Sequence, residues 1–379
     1  MLQQIELKSF KCFDVLKLPL AELTLLSGSN ASGKSSLLQA LVLLHQTIQE
    51  NEWGTRLVLN GETLKLGTVQ DVVNKVYGRN GFELMLKNEE DTYRWRFQGE
   101  RHEMSMAIEY MQNSSDESNI QTALHFLLPY LSNRATPEIC IKLESLTYIT
   151  AERIGPRDFY HLEDRSKIKT VGPKGEHAVS RLFSLADKKV YDGLCIDTAP
   201  KILLRQVEAW MQRFFPGCGI EVAQIARMNA VTLGIRTSDE TDYHRPINVG
   251  FGLTQVLPIL VAVLSAEPDS LVLIENPEVH LHPAGQALMG SFLALAASTG
   301  PQIIIETHSD HVLNGIRRIV RQEIIKPQQV ALHFFRPLTK GLDQVVSPQV
   351  DQSGNLDTWP EGFFDQFDKD MNYFAGWGE

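Results

Sequence analysis

Residues 5–13, IELKSFKCF, alternate apolar and polar side chains and predict a half-buried strand. LTLLS at 23–27 is a short continuous apolar run, the pattern of a strand buried on both faces. GSNASGKSS follows, and then LLQALVLLHQTI carries apolar residues around most of a helix, which predicts a deeply buried one. From about 55 to 100 the pattern predicts short strands with turns at Gly54, Gly61, Gly67, Gly78 and Gly81. Residues 101–135 are more polar, and MQNSSDESN predicts an exposed loop. YITAERIGPR reads as extended and VGPKGEH as turn-rich. APKILLRQVEAWMQRFF has helical spacing, and GIEVAQIA and AVTLGIR read as strands. After 245 the α/β pattern returns. FGLTQVLPILVAVLSA predicts a helix that tolerates Pro258, and LVLI at 271–274 and QIIIET at 302–307 predict buried strands. HPAGQALMGSFLALAAS between them predicts a helix with Pro283 near its start. No heptad pattern is sustained, so no long coiled-coil arm is expected, and no internal repeat is evident.

This order of elements frames the chemistry. Gly28, Gly33, Lys34 and Ser35 fit G-x-x-x-x-G-K-[ST] between a predicted strand and a predicted helix, the context that a phosphate-binding loop needs. The loop Asn30, Ala31, Ser32, Gly33, Lys34, Ser35 and Ser36 can turn backbone N–H groups onto phosphate oxygens. Lys34 would add charge and Ser35 a hydroxyl for Mg2+. ATP or GTP with Mg2+ is therefore the expected ligand. LVLIENPEVHLHP ends a buried strand in Glu275, Asn276, Pro277 and Glu278, where an acid can hold Mg2+ through water. QIIIETHSD brings His308 to the end of another strand, within reach of a γ-phosphate.

On these motifs the chain resembles the ABC/SMC-type ATPases, in the branch with RecF-like and OLD-family proteins that is often described as AAA. Lys34 with Ser35, Glu275 through Glu278, and His308 carry that resemblance. YITAERIGPR, VGPKGEHA and WPEGFFDQF resemble a subgroup of stand-alone bacterial ATPases with a C-terminal domain of unknown function. The likeness is weakest from about 90 to 140. It implies an α/β P-loop NTPase of ABC/SMC head type. Its core sheet would be mainly parallel, with an antiparallel N-terminal β lobe and a helical insertion. The implied divisions are 1–100 for the N-terminal ATPase lobe, 101–245 for an inserted region, 246–335 for the C-terminal lobe and 336–379 for an aromatic-rich end.

The same resemblance gives NVGFGLTQ, with Asn248, Gly250, Gly252 and Gln255, the role of a signature loop that meets the nucleotide of a second copy. ATP would then join two heads into a homodimer with two composite sites. Many relatives end the acid strand in Asp-Glu, whereas this chain has Glu275 and Asn276. Asn276 cannot accept a proton as a base, so Glu278 is expected to assist water while Glu275 serves Mg2+. Slow or conditional hydrolysis, suited to a switch, is the alternative. Gln70 in KLGTVQDVV has the place of a glutamine that sees Mg2+, with Asp71 or a plain surface turn as rivals. Lys11 lies where relatives approach the base or phosphates, and a solvated strand-edge lysine is the rival reading.

Composition narrows the partners. The chain has 379 residues with 36 basic and 46 acidic side chains, a net charge of −10, which opposes indiscriminate DNA binding. Basic runs at 153–174 and at Arg317, Arg318, Arg321 and Lys326 could still follow a phosphate backbone. No apolar stretch is long enough for a membrane span, no secretory signal is visible, and Cys12, Cys140, Cys195 and Cys218 form no CxxC pair. A cytoplasmic protein is expected. His280, His282, His308 and His311 lack the spacing and cysteines of a tight zinc site. The aromatics from Trp359 to Trp377 either pack on the core or form a docking edge. The leading expectation is an ATPase switch that regulates a separately encoded effector such as a nuclease, in bacterial anti-phage defence. Its rivals are an ATP-dependent DNA clamp in repair or segregation and a soluble subunit of a transporter.

Overall fold

The computed structural model describes the chain except residues 76–77, 114–115, 120–123, 129–136, 165–168, 340–342 and 376–379, with backbone alone at 116–119 and 366–368. Arg165, Lys167 and Trp377, and the side chain of Phe367, lie outside the described residues.

In chain order, β1 (Gln4–Phe10), β2 (Phe13–Pro19) and β3 (Leu23–Gly28) lead into α1 (Lys34–Glu50). Then come β4 (Trp53–Gly54), β5 (Arg56–Val58), α2 (Val69–Val72), β6 (Gly81–Lys87), β7 (Thr92–Gln98), β8 (Ser105–Asn113), β9 (Asp116–Asn119) and β10 (Leu124–His125). The middle holds α3 (Glu138–Glu144), β11 (Thr147–Ile149), β12 (Tyr160–His161), α4 (Ala178–Ser184), α5 (Leu203–Phe214), β13 (Gly219–Gln224) and β14 (Ala230–Arg236). The C-terminal third holds α6 (Phe251–Leu264), β15 (Leu271–Glu275), α7 (Pro283–Ala297), β16 (Gln302–Glu306), α8 (Asp310–Arg321), β17 (Val330–Phe335), β18 (Val345–Val346) and α9 (Gln366–Phe374).

Two sheets organise these elements. One is antiparallel, in the order β2-β1-β6-β7-β8-β5 with β9 on β8. The other runs β11-β15-β16-β3-β17-β18 and is parallel throughout except for β18. Strands of the parallel sheet are buried on both faces, which is why LTLLS, LVLI and QIII read as unbroken apolar runs. The antiparallel strands alternate because one face meets the core and the other meets solvent.

The sheets cut across the divisions expected from the sequence. The antiparallel sheet continues past residue 100 through β8, and β11 from the middle region joins the parallel core. The expected loop at 111–119 differs too: Tyr110–Asn113 pairs antiparallel with Asp116–Asn119, while Ser114 and Ser115 of that expected loop lie outside the described residues. Polar residues pair there because only backbone groups are needed for a ladder at a sheet edge.

α6 shows which energy wins. Pro258 inside it removes a helical N–H, at a cost of ~3 kcal/mol. Leu257, Ile259, Leu260, Val261, Val263 and Leu264 are buried, each worth roughly 1.5–3 kcal/mol, so packing outweighs the break.

The C-terminal segment is stitched to the core. Phe363 is fully buried against Phe334 of β17, and Arg317 lies over the half-exposed Trp359. Tyr373 and Phe374 of α9 are exposed. The aromatics thus divide between packing and surface.

His333 of β17 joins three elements. Its Nε2–H donates to the Pro19 carbonyl at 2.8 Å, and Nδ1 accepts from the Ser347 hydroxyl at 2.7 Å. Burial lowers its pKa to about 4 from 6.5. Below pH 6.5 the unfolded chain takes a proton that the folded chain refuses, so stability falls as pH drops towards 4. In urea unfolding, wild type should lose about 3 kcal/mol more than His333→Gln between pH 7 and pH 4.

Candidate functional site

The phosphate loop is made by local constraints. Gly28 has φ 129°, and a Cβ there would strike the Phe335 carbonyl on the neighbouring strand. Only glycine permits both the backbone angle and that approach. Ser29 N–H then donates to the Phe335 oxygen at 3.1 Å, and Ser32 Oγ donates to the Ser29 carbonyl at 2.7 Å. Asn30 and Ala31 are exposed, Ala31 with φ 59°. Gly33 caps α1 without a side-chain hydrogen bond, so the first-turn amides at Lys34, Ser35 and Ser36 remain available to an anion. Lys34 is 3% exposed, and its Nζ donates to the carbonyls of Gly28 at 2.9 Å and Ser29 at 2.7 Å. Burial lowers its pKa, while the Glu306 carboxylate opposes that shift.

Three carboxylates gather at the strand ends. β15 and β16 are paired in register, with Glu275 opposite Glu306. β16 also pairs with β3, which feeds the phosphate loop. Ser35 Oγ therefore donates to Glu306 Oε1 at 3.1 Å, although 271 residues separate them. Glu306 Oε2 is buried with no hydrogen-bond partner. Burial first, and then the Glu275 charge, push the Glu306 carboxyl up to about 7.

Glu275 looks the other way. Its Oε1 accepts from the Tyr148 hydroxyl at 2.7 Å and its Oε2 from the Ala151 N–H at 3.1 Å. Tyr148 is raised by burial and then by that carboxylate. Arg153 is 6% exposed and donates to the carbonyls of Thr150 at 3.3 Å, Glu275 at 3.0 Å and Asn276 at 2.7 Å. Burial brings its pKa down to about 10, against the attraction of Glu278 and Glu275. Asn276 has φ 44°, a left-handed angle that asparagine tolerates better than most residues. Its N–H donates to the Glu306 carbonyl at 2.7 Å.

Glu278 Oε1 accepts from the His308 N–H at 2.9 Å, and its Oε2 is buried without a partner. His308 is only partly covered, and that partial desolvation of its ring, followed by the Lys34 charge, lowers its pKa. Lys34, Ser35, Glu306, Glu275, Glu278, Asn276 and His308 thus form one connected neighbourhood.

Lys11 and Gln70 stand at its edge. Lys11 N–H donates to the Val72 carbonyl of α2, and its ammonium donates to Gln39 of α1. Gln70 is exposed on α2, which opens with a Thr68–Asp71 capping box. Among the described residues, neither side chain makes a hydrogen bond to the phosphate loop.

The NVGFGLTQ segment enters α6. Asn248 and Gly250 are exposed, and Gly250 is the N-cap of α6, with no side-chain hydrogen bond there. A Cβ on Gly252 would lie 2.8 Å from the His280 carbonyl, so this loop packs on the segment after β15. Gln255 is buried and donates to the Ile154 carbonyl at 3.2 Å.

Sequence reasoning missed Glu306, Tyr148 and Arg153. The signal for Glu306 was an acid closing the apolar run QIII. Nothing local marked the other two, because their partners are distant in sequence.

Comparison with known proteins agrees with this geometry. Residues 1–194 match the family of the AAA ATPase domain, and 201–314 match an AAA domain described as a putative AbiEii toxin of a type IV toxin–antitoxin system. Residues 325–373 match a protein of unknown function, DUF3696. An OLD nuclease from Thermus scotoductus is 24% identical, over 94% of this chain and 69% of its own length. An SMC head crystallised with the C-terminal winged-helix domain of ScpA superposes with a TM-score of 0.56, at 13% identity, covering 93% of this chain and 98% of that one. The SMC head with an extended coiled coil, bound to the C-terminal domain of ScpA derived from Pyrococcus furiosus, gives 0.53, at 11% identity and 99% of both chains. These neighbours show the fold, a P-loop NTPase of the ABC/SMC head type. Among the described residues, no helix is long and apolar enough to cross a membrane. With half its length matched from the first residue, and the phosphate loop inside that match, this chain belongs to the AAA ATPase domain family.

Proposed function

We propose that this chain is an ATP-binding, ATP-hydrolysing switch that dimerises through composite sites and controls a separately encoded effector. The observation that carries the reading is the buried Lys34 in a glycine-turned loop beside carboxylates on adjacent parallel strands. Lys34 and the first amides of α1 bind the phosphates of ATP. Mg2+ supplies charge neutralisation when bound, and the orphaned buried oxygens of Glu306 and Glu278 suit a cation-bearing site. Ser35, Gln70 and Glu275 are the ligands that the family resemblance implies. Glu278 accepts the proton of the attacking water, and His308 contacts the γ-phosphate. Asn276 has its amide in the strand-end turn and no basic lone pair to offer.

The exposed start of α6, at Asn248 and Gly250, faces the nucleotide of a second copy, while buried Gln255 positions that helix. The similarity to an OLD nuclease over 94% of the chain supports a role beside a nuclease, and anti-phage defence is the setting that the family resemblance implies. The DNA-clamp reading has less support: Arg153 is buried, and Lys169 and Lys174 are paired with Glu144 and Glu152.

The test is light scattering of the purified chain with and without Mg2+-ATP, followed by co-purification from its native host. A dimer that forms with ATP in wild type, and not in Gly250→Trp, is the expected result. A chain that stays monomeric with bound ATP would sink the composite-site reading.

A further inference from the structure

We infer that Glu306, rather than Glu275, is the protein carboxylate that joins Ser35 in holding the nucleotide's divalent cation. The inference rests on the ATP-binding reading above and concerns which oxygens complete that site.

The first argument is occupancy. Both oxygens of Glu275 are already hydrogen-bonded, to the Tyr148 hydroxyl and to the Ala151 amide. Recruiting Glu275 would draw on a carboxylate that already serves two donors. Glu306 spends one oxygen on Ser35 and has its second buried with no partner. A buried carboxylate oxygen without a donor is costly, and a cation is one way to satisfy it.

The second argument is geometry. An octahedral Mg2+ with oxygen ligands at about 2.1 Å holds adjacent ligands about 3 Å apart. Ser35 Oγ and Glu306 Oε1 are 3.1 Å apart. At that separation the Ser35 hydroxyl and the Glu306 carboxylate, whose Oε2 still lacks a partner, can share one ion. The strand order explains the choice. β16 lies directly beside β3, and β15 lies one strand further out. Glu306 is thus a strand nearer to the start of α1 than Glu275 is.

The third argument concerns what Glu275 does instead. Its carboxylate ties β15 to Tyr148 and to the start of the 151–153 turn, and Arg153 from that turn binds the carbonyls of Glu275 and Asn276. Glu275 is then a positioning residue that holds the turn carrying Asn276 and Glu278.

The experiment measures ATP affinity by calorimetry in Mg2+ and in EDTA, for wild type, Glu306→Gln, Glu306→Asp and Glu275→Gln, each checked by thermal melting. The ratio of the two affinities reads the cation alone. Glu306→Gln should shrink that ratio at least ~10-fold. Glu306→Asp, with its charge drawn back by one methylene, should fall between, and Glu275→Gln should shrink the ratio less than Glu306→Gln does. If Glu306→Gln and Glu306→Asp keep the wild-type ratio, or Glu275→Gln loses more of it, the inference is overturned. A wild-type chain that binds no ATP in either buffer overturns the ATP-binding reading itself.

Discussion

ATP turnover by Glu278→Gln should fall on the order of 100-fold or more, while ATP binding persists. The glutamine keeps the size of the side chain and can still accept from the His308 N–H, as Glu278 Oε1 does at 2.9 Å. What it loses is the ability to take a proton from water. Steady-state phosphate release, set beside ATP affinity, separates the two effects. Turnover at the wild-type rate would remove Glu278 from the mechanism. Asn276→Asp is the companion variant: restoring an acid beside Glu275 should not replace Glu278, because the Asn276 backbone is held in its turn by Arg153 and the Glu306 carbonyl.

Lys34→Met should weaken ATP binding by about 100-fold, since it removes a buried cation from the phosphates. Lys34 is 3% exposed, so its charge is poorly screened and its pairing with an anion is strong. It also holds the Gly28 and Ser29 carbonyls, so the melting temperature of the variant must be compared with wild type. A folded Lys34→Met chain with unchanged affinity would mean that nucleotide binds elsewhere.

Much of the site was legible because its pieces are contiguous. Gly28 to Ser36 is nine residues of one turn and one helix start, and its chemistry depends on local backbone angles. Glu275, Asn276, Glu278 and His308 were legible as the ends of apolar runs, because a buried parallel strand has no polar face to confuse the pattern. Lys11 and Gln70 were less legible. Lys11 sits in a turn and Gln70 in the four-residue α2, and neither is long enough to carry a periodic signal that says which way a side chain reaches. The pairing of Tyr110–Asn113 with Asp116–Asn119 was not legible because it runs through the backbone of polar residues.

The sequence by itself determined the α/β frame, the phosphate loop and the acids at the end of β15. These follow from short-range physics: side-chain periodicity, glycine's backbone freedom and the unmet amides of a helix start. Only the tertiary structure decided which acid meets which hydroxyl. The order β15-β16-β3 sets Glu306 against Ser35 and leaves Glu275 to Tyr148 and Ala151. Those partners lie more than a hundred residues apart, and strand order, which no local pattern encodes, brings them within hydrogen-bond distance.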